Sequence, residues 1–135
     1  MTDDPTLAAL FAAAVAAREN AHAPYSRFHV GAAVLSESGT IHAGCNVEVA
    51  SFPEGWCAET TAIGKLVSAG EKQIRAVVVV AEGARLTTPC GGCRQRLAEF
   101  AAPDTPVHVG SPAGIRRVFT VGELLPAGFE LDEQP

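Results

Sequence analysis

Ile74-Arg75-Ala76-Val77-Val78-Val79-Val80-Ala81 carries four consecutive valines, with a charge only near its start. β-Branched side chains crowd a helix but fit a pleated strand. A run without polar alternation has no face to give to water, so it reads as a strand covered on both sides. Covering both sides takes helices, and the flanks supply them. Cys57 to Ala69 reads as a helix stopped at Gly70; a second opens at Cys90 or Gly91 and runs to Ala101, stopped by Pro103. Leu7 to Asn20 reads as a helix on its alanine content. Val30 to Leu35 and Thr40 to Cys45 read as hairpin strands turning at Ser36-Glu37-Ser38-Gly39. Pro106 to Gly110 is a short strand, and Phe119 to Leu125 holds a strand end and a short helix. Pro24-Tyr25-Ser26 and Ser51 to Trp56 are loops. Strands alternating with helices predict a three-layer α/β/α sandwich. A length of 135 residues, 47% of them hydrophobic and 19% charged, suits one domain over residues 1–135 with a sizeable core.

Two short motifs stand at the expected starts of the flanking helices: Cys57-Ala58-Glu59 and Pro89-Cys90-Gly91-Gly92-Cys93. Zn²⁺ takes thiolate sulfur in a tetrahedral shell, and three protein ligands leave the fourth position open, the mark of a catalytic rather than a structural site. Cys90 and Cys93 form a chelating C-x-x-C, and Cys57 is the candidate third ligand. A helix N-terminus lowers thiolate pKa and favours metal binding. Glu59 falls in the first turn beside the open position, where a zinc-held water has its pKa lowered toward ~7. There Glu59 can take that water's proton and return it as a general acid. An isolated C-x-x-C also suits a redox pair or half of a structural zinc knot. A disulfide scaffold is disfavoured, because the chain is neither short nor cysteine-rich. Cys45 reads as a small buried hydrophobe; its alternative, a fourth zinc ligand, would close the site.

The resemblance reaches well past these motifs. From Ala23-Pro24-Tyr25-Ser26-Arg27-Phe28 through Gly44-Cys45-Asn46-Val47-Glu48, Cys57-Ala58-Glu59, Pro89-Cys90-Gly91-Gly92-Cys93-Arg94-Gln95 and Glu123-Leu124-Leu125-Pro126 to Phe129, the chain resembles the cytidine deaminases of the small, homotetrameric, three-cysteine type. The resemblance implies a cytidine-deaminase-like fold with a mixed five-stranded sheet. It implies one Zn²⁺ per subunit on Cys57, Cys90 and Cys93, with Glu59 as proton shuttle. It also implies that Asn46 and Glu48 bond the ribose 3′-hydroxyl, that Phe28 lines the nucleoside pocket and that the Ala58 backbone contacts the base. Phe129 would reach a neighbouring subunit's pocket. The implied reaction is hydrolytic deamination of cytidine and deoxycytidine to uridine and deoxyuridine with release of ammonia. The residue chemistry agrees, since Asn offers donors and an acceptor, ionised Glu offers acceptors, and both suit a hydroxyl.

Three positions depart from the family pattern. Thr60 replaces the usual arginine after Cys-Ala-Glu, which leaves the negative zinc–thiolate group to helix N-terminal amides, to Arg94, or to a weak hydrogen bond from Thr60. Val49 replaces an asparagine beside the sugar pocket, and Phe52 replaces a tyrosine. The rival enzyme is a blasticidin-S-type deaminase, which also lacks that arginine. The rival of another class is a non-catalytic zinc module.

Formal net charge is −5, and no basic track is present, which argues for a small neutral substrate rather than nucleic acid. No apolar run reaches the ~18 residues of a membrane span. The apolar run Leu7 to Ala17 lacks a basic leader and reads as a helix of the fold, not a secretory signal. A cytoplasmic setting, where thiols stay reduced, is the expectation.

Overall fold

The computed structural model describes residues 4–134. Its elements are α1 (Pro5–Arg18), β1 (Val30–Ser36), β2 (Ile41–Cys45), a 3₁₀ turn (Phe52–Glu54), α2 (Ala58–Ser68), β3 (Ile74–Ala81), α3 (Gly91–Phe100), β4 (Pro106–Ser111), β5 (Gly114–Thr120) and α4 (Val121–Leu124). The strands form one mixed sheet in the order β2-β1-β3-β4-β5, with β3 and β4 parallel and the other neighbours antiparallel.

The valine run occupies β3 at the expected bounds. Val77 and Val79 join the core shared with Ala62, Leu66 and Leu97 of α2 and α3. Val78 and Val80 join the opposite core, with Leu10 and Ala14 of α1. All four are fully buried. Burying each contributes roughly 1.5–3 kcal/mol relative to exposure, and a charge at any of them would have no wet face to turn to. The three layers are thus α1, the sheet, and α2 with α3.

Both ends of α1 differ from expectation by two residues, and the ends of α2, α3, β1, β2 and β4 by at most one. α1 starts at Pro5 rather than Leu7, because Asp4 caps it: its side chain accepts the Thr6 N–H at 2.9 Å, and Pro5 suits the first turn. The helix ends at Arg18, not Asn20. The larger difference is β5. Only its end, near Phe119, was expected as strand; the whole of Gly114–Thr120 pairs with β4. Arg116 and Arg117 make its middle look like surface loop. Arg116 instead donates to the carbonyls of Gly83 and Arg85, both at 3.1 Å, and Arg117 stands 4.4 Å from the Phe119 ring centroid. Charged side chains suit a strand at a sheet edge, where they discourage pairing with another chain. The short helix follows as expected, opened by a capping box between Thr120 and Glu123.

The topology brings several chain ends together. The register pairs Val30 with Ala81 and Gly31 with Cys45, so the start of β1 and the ends of β2 and β3 share one end of the sheet. α3 is the crossover from β3 to its parallel neighbour β4 and therefore begins at that same end. α2 lies directly on β2 at Gly44, where a Cβ would fall 2.6 Å from the Ala62 nitrogen. Beyond the end of α2, Gly70 takes the left-handed conformation with φ +90°.

Candidate active site

Cys57 is the N-cap of α2 and Cys90 the N-cap of α3, and neither thiol accepts a capping hydrogen bond. Cys93 is buried in the first turn of α3. The three sulfurs lie within 4.8 Å of one another, with Cys57 Sγ 3.6 Å from Cys90 Sγ. A tetrahedral zinc with Zn–S bonds of ~2.3 Å needs sulfurs roughly 3.8 Å apart, so the soft donors and their spacing fit this ion. All four cysteines are free thiols. Cys45 stands outside the cluster, at the end of β2, where its carbonyl accepts the Thr61 hydroxyl at 2.9 Å. Three donors without a fourth cysteine leave a coordination position open.

The thiols hold one another's protons. A hydrogen bond from Cys93 lowers the Cys57 pKa, and the same bond raises that of Cys93. Metal binding to such a cluster releases these protons. Glu59, in the first turn of α2, is only 4% exposed, and desolvation pushes its carboxyl above the ordinary range. Among the three candidates for offsetting the thiolate charge, Arg94 does not bond sulfur. Its guanidinium donates to the Pro89 carbonyl at 2.7 Å, the Leu124 carbonyl at 3.0 Å and the Thr88 hydroxyl at 3.0 Å. Thr60 Oγ1 does approach Cys93, at 3.7 Å from its Sγ, and two helix N-termini point their positive ends at the cluster.

Cys57, Cys90 and Glu59 line a cleft of about 350 Å³ together with Ala58, Phe28, Asn46 and Glu48. That volume lies in the range of small-molecule sites. Ala58 is fully buried. Asn46 ties the cleft wall together: its Oδ1 accepts the Val30 N–H at 3.0 Å, and its Nδ2 donates to the Phe28 carbonyl at 2.8 Å. Glu48 holds the turn opposite. One carboxylate oxygen accepts the Tyr25 and Ser26 N–H groups at 3.0 and 3.1 Å, and the other accepts the Ser26 hydroxyl. These bonds, the hydroxyl's foremost, lower its pKa. They also secure a turn in which Arg27 takes φ 60°, a strained value for a residue with a side chain.

Phe129 is not in this cleft. It is 70% exposed and borders a separate recess of about 690 Å³ between α3 and the C-terminal segment. That recess is larger but gathers none of the thiols. Trp56, Phe52 and Thr88 also line the cleft and were not read as site residues from the sequence. Trp56 precedes Cys57 and is fixed by a bridge to Val47, with hydrogen bonds of 2.9 and 3.0 Å. Its signal was adjacency to a ligand motif. Phe52 meets Tyr25 edge to face, ring centroids 5.8 Å apart.

Residues 5–109 match the model of the cytidine and deoxycytidylate deaminase zinc-binding region. The chain belongs to the cytidine and deoxycytidylate deaminase family. The three-thiol cluster lies inside the matched region, and Zn²⁺ is the cofactor. A cytidine deaminase of Halalkalibacterium halodurans is 45% identical over 120 residues, 89% of this chain and 91% of that one. The crystal structure of cytidine deaminase from Burkholderia pseudomallei superposes with a TM-score of 0.84 at 42% identity, covering 90% of this chain and 98% of that one. A blasticidin-S deaminase of Bacillus cereus is more distant, 31% identical over 77% of this chain and 79% of its own.

Proposed function

We propose that this chain is a zinc-dependent cytidine deaminase, a single domain over its 135 residues, that hydrolyses cytidine and deoxycytidine to uridine and deoxyuridine with release of ammonia. One observation carries the reading: three thiols cluster at two helix N-termini, and two of them, Cys57 and Cys90, line a small-molecule cleft with the buried carboxyl of Glu59. Cys57, Cys90 and Cys93 hold the metal and leave one position open. When bound, zinc supplies a Lewis-acidic centre that lowers the pKa of a water toward ~7. Glu59 takes one proton from the attacking water and passes it to ring N3, then takes that oxygen's second proton and passes it to the departing amine. A bond forms from the water oxygen to C4, the bond from C4 to the exocyclic nitrogen breaks, and ammonia leaves. Burial suits Glu59 to this work, because a carboxyl with a raised pKa holds a proton between the two transfers.

The other end of the cleft holds the sugar. Asn46 keeps one N–H and one lone pair beyond its two bonds, and ionised Glu48 keeps acceptor capacity beyond its three, so both can pair with a ribose hydroxyl. Phe28 packs against the nucleoside, and the Ala58 backbone meets the base. Exposed Phe129, away from its own cleft, and exposed aromatics at the cleft mouth support a homotetramer in which a neighbour's Phe129 closes each site. The enzyme works in the cytoplasm, where its thiols stay reduced. Among the described residues no helix is long and apolar enough to cross a membrane.

The test supplies purified protein with cytidine, deoxycytidine, cytosine and blasticidin S, measuring ammonia with and without a chelator. Turnover of both nucleosides, lost to the chelator and restored by Zn²⁺, is expected, with light scattering giving four chains per particle. Turnover of blasticidin S alone would move the assignment to that deaminase class, and no turnover of any substrate by zinc-loaded protein would remove it.

A further inference from the structure

Arg94 is half-buried and immediately follows Cys93. Its three guanidinium nitrogens each have an acceptor, and the three acceptors come from three places. The Pro89 carbonyl belongs to the residue just before Cys90. The Thr88 hydroxyl belongs to the cleft wall. The Leu124 carbonyl closes α4. The planar fork of a guanidinium fixes the relative positions of its acceptors as an ammonium cannot. Among the described residues no acidic group lies within ion-pair distance of Arg94. Its bonds are therefore not half of a surface ion pair; they tie backbone to backbone around the chelate. The next residue repeats the pattern, since Gln95 Nε2 donates to the Phe129 carbonyl at 3.0 Å.

We infer that Arg94 is a positioning residue for the metal centre: its fork locks the Thr88-Pro89 approach to Cys90 against α3 and α4, and so fixes the angle at which the Cys90–Cys93 chelate meets Cys57. The loop from Glu82 to Pro89 contains no strand or helix of its own. Without the fork, Cys90 at the head of α3 keeps its helix but loses the anchor on its N-terminal side. Groups that orient metal ligands from outside the coordination shell typically change metal affinity or activity about 10–100-fold when removed. The inference rests on the deaminase reading for its consequence in turnover, but its geometric content is independent of the substrate.

The test uses the full-length protein loaded with Zn²⁺ or with Co²⁺. Arg94→Met and Arg94→Lys are compared with the parent for zinc release to a chromophoric chelator and for the visible spectrum of the Co²⁺ form. Thr88→Val removes one acceptor only and is the variant that keeps the comparison open if Arg94→Met fails to fold. Zinc release about 10–100-fold faster, with perturbed tetrahedral Co²⁺ bands in both Arg94 variants and a smaller change of the same sign in Thr88→Val, is expected. Lys fails to rescue because the fork matters, not the charge. Parent-like zinc release and an unaltered Co²⁺ spectrum in folded Arg94→Met or Thr88→Val would overturn the inference, as would full rescue by Lys. If the parent protein deaminates no nucleoside while the Arg94 variants still lose metal, the deaminase reading falls and this one stands.

Discussion

At one end of the cleft, three sulfurs at the starts of two helices are bonded to one another, to Thr60 and to the Glu59 carboxyl, all of them groups of the site itself. At the other, the side chains of Asn46 and Glu48 already make five hydrogen bonds between them to the segment Tyr25 to Val30. The thiol end is presented by regular structure and is free to take a ligand. The sugar end builds its own wall with the groups proposed to read the substrate. Substitution should therefore separate cleanly at the first end and not at the second: a lost thiol removes a ligand, whereas a lost Asn46 or Glu48 removes a contact and loosens the surface that makes it.

The largest effect that would break this contrast concerns the metal. Cys57→Ser, Cys90→Ser and Cys93→Ser should each lose zinc and nearly all turnover, and Cys45→Ser should keep both. Metal content after dialysis is the measurement, and zinc lost from Cys45→Ser alone would close the site and make it structural. Next comes Glu59→Ala, expected to retain zinc while kcat falls by roughly 10²–10⁴-fold, the usual share of a positioned proton donor and acceptor. Zinc loss in this variant would make Glu59 a ligand. Smaller, and mixed in character, are Asn46→Ala and Glu48→Ala. Cytidine KM should rise with little loss of zinc, and proteolysis within Tyr25 to Val30 should accelerate. A KM change with an unaltered loop would split the two roles joined here. Acid sharpens the same point. The folded pKa of Glu48 lies below its ordinary value of 4.5, so its hold on the turn is complete above that pH and fades as pH falls through the lower folded value. Loop protection measured by proteolysis at graded acid pH should follow that order, and should be flat in Glu48→Ala.

The same contrast explains which parts were legible in the sequence. The valine run and the Cys-Ala-Glu and Pro-Cys-Gly-Gly-Cys motifs are local: periodicity and capping place Val77–Val80 on a doubly covered strand and Cys57 and Cys90 at helix starts without knowledge of the rest of the chain. Arg94 was not legible, because its side chain is defined by Leu124, thirty residues away. Nor was the work of Glu48 in the turn at Tyr25 and Ser26, whose bonds span 22 and 23 residues. β5 was missed for another reason. Its two arginines obscure the strand pattern, and only the ladder with β4 reveals it. Its end does carry a local signal: Thr120 followed three residues later by Glu123 marks the point at which that strand gives way to α4.

Gly44 carries a consequence for inherited variation and for engineering. The residue is part of β2, yet any side chain there would press into the backbone of α2. Backbone cannot swing aside as a flexible side chain does, so the helix would have to move as a body. Cys57 and Glu59 would travel with it. A conservative-looking change to alanine, beneath the helix rather than among the metal-binding side chains, should therefore register as impaired metal loading and impaired proton transfer. Screens that rank positions by proximity to the nucleoside would overlook a place where a single methyl group reaches both.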